Sequence, residues 1–124
     1  MRVKDAVGRF GERLAGDYLA EAGLTILERN WRCPEGEIDI IALDGSVLVV
    51  VEVKTRSTTA FGEPAEAVGP AKAARLRRLA LRWLAAHRDA GQGVDYWPEL
   101  RFDVVSVVRL APGGPIVRHL KAAF

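Results

Sequence analysis

Apolar residues near the start of the chain recur every three or four positions: Val7, Phe10, Leu14 and Tyr18. That spacing lays one stripe along a helix, which we read from about Asp5 to Ala22, with Gly23 as the C′ residue that ends it. The period then shortens. Thr25–Trp31 reads as a strand, and Glu37–Leu43 and Ser46–Lys54 as two more, dense in Ile and Val. Asp44-Gly45 between them is a two-residue hairpin signal. Residues 57–69 read as an exposed loop with a short helical turn. Helical spacing returns over Pro70–Asp89, with Pro70 near the first helical position and Leu76, Leu79, Ala80 and Trp83 on the buried face. "AGQGVDYWPEL" reads as a loop, "RFDVVSVV" as a strand and Ile116–Leu120 as a short final strand.

The order helix, three strands, helix, strand predicts an α/β fold. A helical crossover before the later strand lets it lie parallel to the strand carrying Glu52, giving a mixed β-sheet flanked by helices. With 124 residues, and no repeat or linker, residues 1–124 are expected to form a single domain. No stretch is long enough to cross a bilayer and no signal-peptide core is seen, so the expected location is cytoplasmic. The lone Cys33 excludes an internal disulfide, and His87 and His119 are too few for a histidine-rich metal site. Any metal must sit on carboxylates, which favours Mg²⁺ or Mn²⁺.

"GEIDIIALDGSVLVVVEVKTR", Gly36 to Arg56, is apolar enough to be buried, yet carries carboxylates at both ends. Buried charge is costly unless paired or bound to metal. With Asp44-Gly45 as the loop, Asp39 pairs with Val50 and Glu37 with Glu52. Glu37, Asp39, Glu52 and Lys54 then share one face, with Asp39 diagonal to Glu52. Like charges face to face destabilise the pair, and a divalent cation relieves them. Solvated strand-end charges paired with Lys54 are the plainer alternative.

Charge is uneven along the chain. Residues 1–69 hold 8 Lys+Arg against 12 Asp+Glu, and residues 70–124 hold 10 against 4. This fits a cation site beside a polyanion-binding surface, and equally two solvated faces. Residues Pro70 to Arg88 carry six Lys/Arg and no acid. Lys72, Arg75, Arg78 and Arg82 flank the apolar face and are candidates for phosphate contact, as is Arg56 beside the carboxylates. Trp83 and Trp31 read as core. Trp97, in a proline-flanked loop, is the stacking candidate.

Asp39, twelve intervening residues, then Glu52-Val53-Lys54 resembles the signature of the PD-(D/E)XK nuclease superfamily. "GEIDII", "VEVKTR" and "FGEPAEAV", in that order, more closely resemble the YraN family, over about Val7 to Val108. The proline that often precedes the aspartate is replaced by Ile38. The resemblance implies a restriction-endonuclease-like αβββαβ core similar to archaeal Holliday-junction resolvases. It implies that Asp39, Glu52 and the Val53 carbonyl bind Mg²⁺ or Mn²⁺ and that Lys54 orients the attacking water. It also implies a catalytic role for Glu12 on the first helix. Gly8, Ala15, Gly16 and Leu19 surround Glu12 and allow close approach, though an exposed charge paired with Arg9 or Arg13 fits equally. Glu37 is a candidate outer-shell metal residue or a partner for Lys54.

The function expected is a metal-dependent endonuclease acting on DNA, including branched or damaged DNA. The competing expectation is a nucleic-acid-binding or assembly module with a weakly active or inactive site. Homodimerisation is implied by the resolvase resemblance alone.

Overall fold

The computed structural model describes residues 3–58, 68–89 and 99–124. Trp97 and most of the expected loop over 57–69 lie outside the described residues. Helix α1 (Val3–Glu21) is closed by glycine, as expected. Gly23 adopts φ 101, the left-handed region that side chains disfavour. Its N–H donates to the Ala20 carbonyl at 3.1 Å, and the N–H of Leu24 to that of Leu19 at 3.0 Å. These two bonds satisfy carbonyls the helix leaves open, and Leu19 and Leu24 meet in the core.

Strands β1 (Thr25–Cys33), β2 (Gly36–Asp44) and β3 (Val47–Arg56) follow. Helix α2 (Pro70–Asp89), β4 (Glu99–Val108) and β5 (Ile116–Leu120) complete the order. The sheet runs β1-β2-β3-β4-β5. Only β3 and β4 pair in parallel, through the α2 crossover, so the sheet is mixed. This is the α/β arrangement expected, consistent with an αβββαβ core.

Alternation along β3 sorts its residues between the helices. Val49, Val51 and Val53 join Ala15 and Leu19 of α1. Leu48 and Val50 join Leu76, Leu79 and Trp83 of α2. A strand covered on both faces must be apolar on both, which is why β3 reads as a nearly unbroken valine run. Glu52 interrupts that run, and it is still only 8% exposed.

Two details of the expected pattern are corrected. The stripe on α1 is centred elsewhere than expected: Gly11, Ala15 and Leu19 are buried, Leu14 packs against the core half-buried, Val7 and Phe10 are half-buried, and Tyr18 is 42% exposed. Small residues win because α1 lies close on the sheet. A Cβ at Gly11 would overlap the Thr55 side chain. The hairpin is also shifted. Asp44 pairs with Val47 and Leu43 with Leu48, so the loop is Gly45-Ser46, with Gly45 at φ 61. Glycine takes the first loop position, where a left-handed backbone is needed, rather than the second. The shift is by an even number of residues, so β3 keeps its faces.

Candidate active site

In the observed register Ile40 pairs with Val51, and the β2–β3 ladder ends there. One further step would set Asp39 opposite Glu52, not diagonal to it. At that step the strands part, and the Asp39 side chain replaces a backbone acceptor. Its Oδ2 accepts the Val53 N–H at 2.9 Å. The β1–β2 ladder is interrupted at the same place. It runs Arg29–Ile40 and then Trp31–Ile38, omitting Asn30 and Asp39. Asn30 has φ 53, a conformation asparagine tolerates better than most residues.

Skipping one residue on each strand preserves the pairing but reverses which face each later side chain takes. Arg29 and Arg32, three apart, therefore line one cavity, as do Glu37 and Ile40. Ile38 and Ile41 share the core beneath α2. This overturns the expected face for Glu37. It is not opposite Glu52; it pairs with Arg32, at 3.3 Å, on the exposed side of β1.

The arrangement has two sides that meet at Asp39. On the α1 side a cavity of about 1200 Å³ is lined by Glu12, Glu37, Asp39, Arg9, Arg13 and Arg29, among others. On the α2 side stand Glu52 and Lys54, two apart on a strand whose pairing with β4 runs unbroken to Arg56. Lys72 of α2 lies 3.2 Å from Glu52 Oε1.

Neighbouring carboxylates perturb Asp39 and Glu12. Burial, then the Glu52 charge, pushes Asp39 up to about 8, against the opposing pull of the Val53 N–H. A hydrogen bond with Glu52 and the Glu12 charge add to the rise. Asp39 and Glu52 are thus close enough to share a proton, as two carboxylates in one site do. Glu12 is also raised, first by burial and then by Glu37. A hydrogen bond from Asn30 and the charges of Arg32 and Arg9 oppose this. Glu12 lies near enough for its charge to act on Asp39, and among the described residues no three Asp, Glu, His or Cys side chains stand at metal-binding spacing.

The basic residues expected on α2 divide. Lys72 is the partner of Glu52, and Arg82 lies 3.1 Å from Glu35. Arg75 and Arg78 are exposed. The balancing acids, absent from the helix itself, come from β3 and from the β1–β2 turn. Arg56 is half-buried at the end of β3, on the face of Glu52 and Lys54 by strand alternation. Trp83 is core, as expected: its Nε1–H donates to Glu28 at 2.9 Å and its ring stacks on His87 at 3.9 Å. Trp31 is half-buried against the same cluster.

Sequence reasoning missed two groups. One is the arginines of α1 and β1 that line the cavity. The other is Asp103, fully buried and bound by Arg101 (2.9 Å from both of its oxygens), His119 (2.6 Å) and the Ala122 N–H (2.9 Å). Burial alone would raise Asp103. The bonds from His119, Arg101 and Ala122 outweigh it and hold the carboxyl at about 2. An aspartate inside "RFDVVSVV" was the available signal, since an apolar strand rarely buries a charge without dedicated partners.

Fold and site together define a mixed-sheet α/β protein with a carboxylate pair at a fork between two strands and a lysine beside it. The family model described as "Uncharacterised protein family UPF0102" matches residues 11–107. The chain belongs to that family. It is 57% identical over 121 residues to a UPF0102 protein of Beutenbergia cavernae, covering 98% of each chain. It is 58% identical over 125 residues to one of Frankia alni, covering 100% of this chain and 98% of that one. A third, from Acidothermus cellulolyticus, is 50% identical over 98% of this chain and 96% of its own length. Among the described residues no helix is long and apolar enough to cross a membrane.

Proposed function

We propose that this chain is a metal-dependent endonuclease of the PD-(D/E)XK type, hydrolysing DNA phosphodiester bonds, with branched or damaged DNA as its substrate class. The observation that carries the reading is the meeting of Asp39 and Glu52 where the β2–β3 ladder ends, with Lys54 on the face of Glu52. A carboxyl whose proton affinity is raised by burial and by a neighbouring carboxylate suits a hard divalent cation. With no third acidic ligand at metal spacing among the described residues, the Val53 carbonyl, water and a substrate oxygen would fill the remaining positions. Mg²⁺ commonly accepts such a set.

Bound there, the cation supplies positive charge to a phosphoryl oxygen. The protein's own groups do the rest. Asp39, fixed by the Val53 N–H, sets the position of the pair. Lys54 orients the attacking water. Lys72, an ion-pair partner of Glu52, adds a fixed positive charge next to the reacting phosphate.

The same Lys72–Glu52 pair favours a second reading, because a lysine already neutralises part of the site. On that reading the chain binds nucleic acid with little or no turnover. Cleavage of plasmid, single-stranded and four-way-junction DNA with Mg²⁺ or Mn²⁺ separates the two. Wild type should cut, while Asp39→Ala and Lys54→Ala should lose at least about a hundredfold in rate. Equal cutting by all three would refute the assignment, and tight binding without cutting under either metal would favour the second reading.

A further inference from the structure

The α1–β1 cavity reaches Asp39, and its cations come from two elements. Arg9 and Arg13 stand one turn apart on α1. The guanidinium of Arg29, from β1, lies against Gly16, a turn further along. Positions 9, 13 and 16 fall on one helix face and cover about 10 Å of its axis. All three arginines are exposed, and no salt bridge among the described residues engages Arg13 or Arg29. On α2, by contrast, Lys72 and Arg82 each hold a carboxylate, and Arg77 sits over the Phe102 ring at 5.7 Å. A cation already paired must exchange a partner to meet a phosphate; Arg13 and Arg29 need not.

The spacing suits a polynucleotide. Phosphates of one strand follow each other about every 3.4 Å of helix axis, so about 10 Å passes about three of them. Arginine's planar fork matches phosphate oxygens in a way a lysine does not. Gly16 belongs to the arrangement, because a Cβ there would occupy the place of the Arg29 guanidinium.

We propose that Arg9, Arg13 and Arg29 form a phosphate track that leads a polynucleotide strand along α1 to the Asp39–Glu52 pair. That the strand is cut there rests on the nuclease reading; that it is held there does not.

The test is binding of a fluorescein-labelled oligodeoxynucleotide, single-stranded and duplex, followed by anisotropy over a salt series in EDTA. Arg13→Gln/Arg29→Gln should bind at least about tenfold more weakly at about 0.1 M salt, with a log–log salt slope shallower by about 2. Arg75→Gln/Arg78→Gln should lose less. Gly16→Ala keeps every charge and favours the helix, yet displaces Arg29, and should weaken binding in the same direction. Thermal melting of each variant checks that it is folded. Unchanged affinity and slope in Arg13→Gln/Arg29→Gln would overturn the track, as would loss confined to the α2 variant. Weakening in the arginine variant with none in Gly16→Ala would reduce the effect to bulk charge and overturn the placement. Binding that follows the track in a protein that cuts no DNA under any metal would keep this inference and sink the nuclease.

Discussion

Asp39→Asn should make the protein more stable at alkaline pH, although it removes a residue the proposed chemistry needs. Asp39 is pushed from an ordinary 3.8 to about 8. The folded chain therefore holds this proton more tightly than the unfolded chain. The associated stability is full below about pH 4 and is lost as pH rises, the loss being complete once pH passes about 8. Taken whole, the shift corresponds to about 5–6 kcal/mol, and solvent screening at a half-open site leaves about 2–3 kcal/mol. Asparagine keeps an oxygen to accept the Val53 N–H and gains an amide to donate to Glu52, so the geometry survives while the repulsion goes. Urea unfolding in chelator at about pH 5 and about pH 8.5 reads the difference. The variant should exceed wild type by less than about 1 kcal/mol at the lower pH and by about 2–3 kcal/mol at the higher. Mg²⁺ or Mn²⁺ should narrow that gap by stabilising wild type alone. A variant no more stable than wild type at pH 8.5, or a gap that ignores pH, would refute the reasoning.

Other perturbations test the surrounding structure. Gly11→Ala should destabilise by about 1–3 kcal/mol, because its methyl overlaps Thr55; Thr55→Gly in the same chain should recover part of the loss in chemical denaturation. Asp103→Asn should cost about 2 kcal/mol at neutral pH, the worth of a carboxyl held at about 2 rather than 3.8. Its stability contribution is present above about pH 4 and fades toward about pH 2, so acid titration of wild type should lose the same amount that the variant lacks throughout. Lys72→Met should cost about 1–3 kcal/mol by leaving the nearly buried Glu52 charge without its partner. Lys72→Arg should restore most of it, as thermal melting will show.

The stability cost at Asp39 has a counterpart elsewhere in the sheet. Asp103 is as buried as any side chain in the protein, yet each of its oxygens is bonded and its proton affinity falls. Asp39 has one backbone donor and faces two carboxylates. The same residue type is thus a structural anchor on β4 and a destabilised group beside like charges on β2. The difference lies in whether cationic partners surround it. Sites that keep like charges together at a cost in stability are characteristic of function.

What could be read from the chain, and what could not, follows from the range of each signal. Elements defined by local period were legible: α2 with Leu76, Leu79 and Trp83, the valine strand β3, and the Gly23 cap each depend on residues within a few positions. The contacts of α1 were less so, because Gly11 and Ala15 are buried by close approach, and large apolar residues such as Tyr18 mislead the eye. That Asp39 lies near Glu52 was expected, though as its diagonal neighbour; the even slip of the hairpin moves Asp39 to the step opposite Glu52, just beyond the last pair of the ladder. The face taken by Glu37 was not foreseen. It depends on Asn30 and Asp39 being skipped together, on two strands at once, and neither residue alone announces a break. Asn30 tolerates a left-handed backbone but does not demand one, and Asp39 could sit in a regular ladder. Only their pairing across β1 and β2 makes the skip. That skip brings Arg32 and Glu37 to the side of the sheet that Arg29 and Ile40 already line, so the cationic cavity beside the carboxylates is completed by tertiary pairing and has no local signature in the sequence.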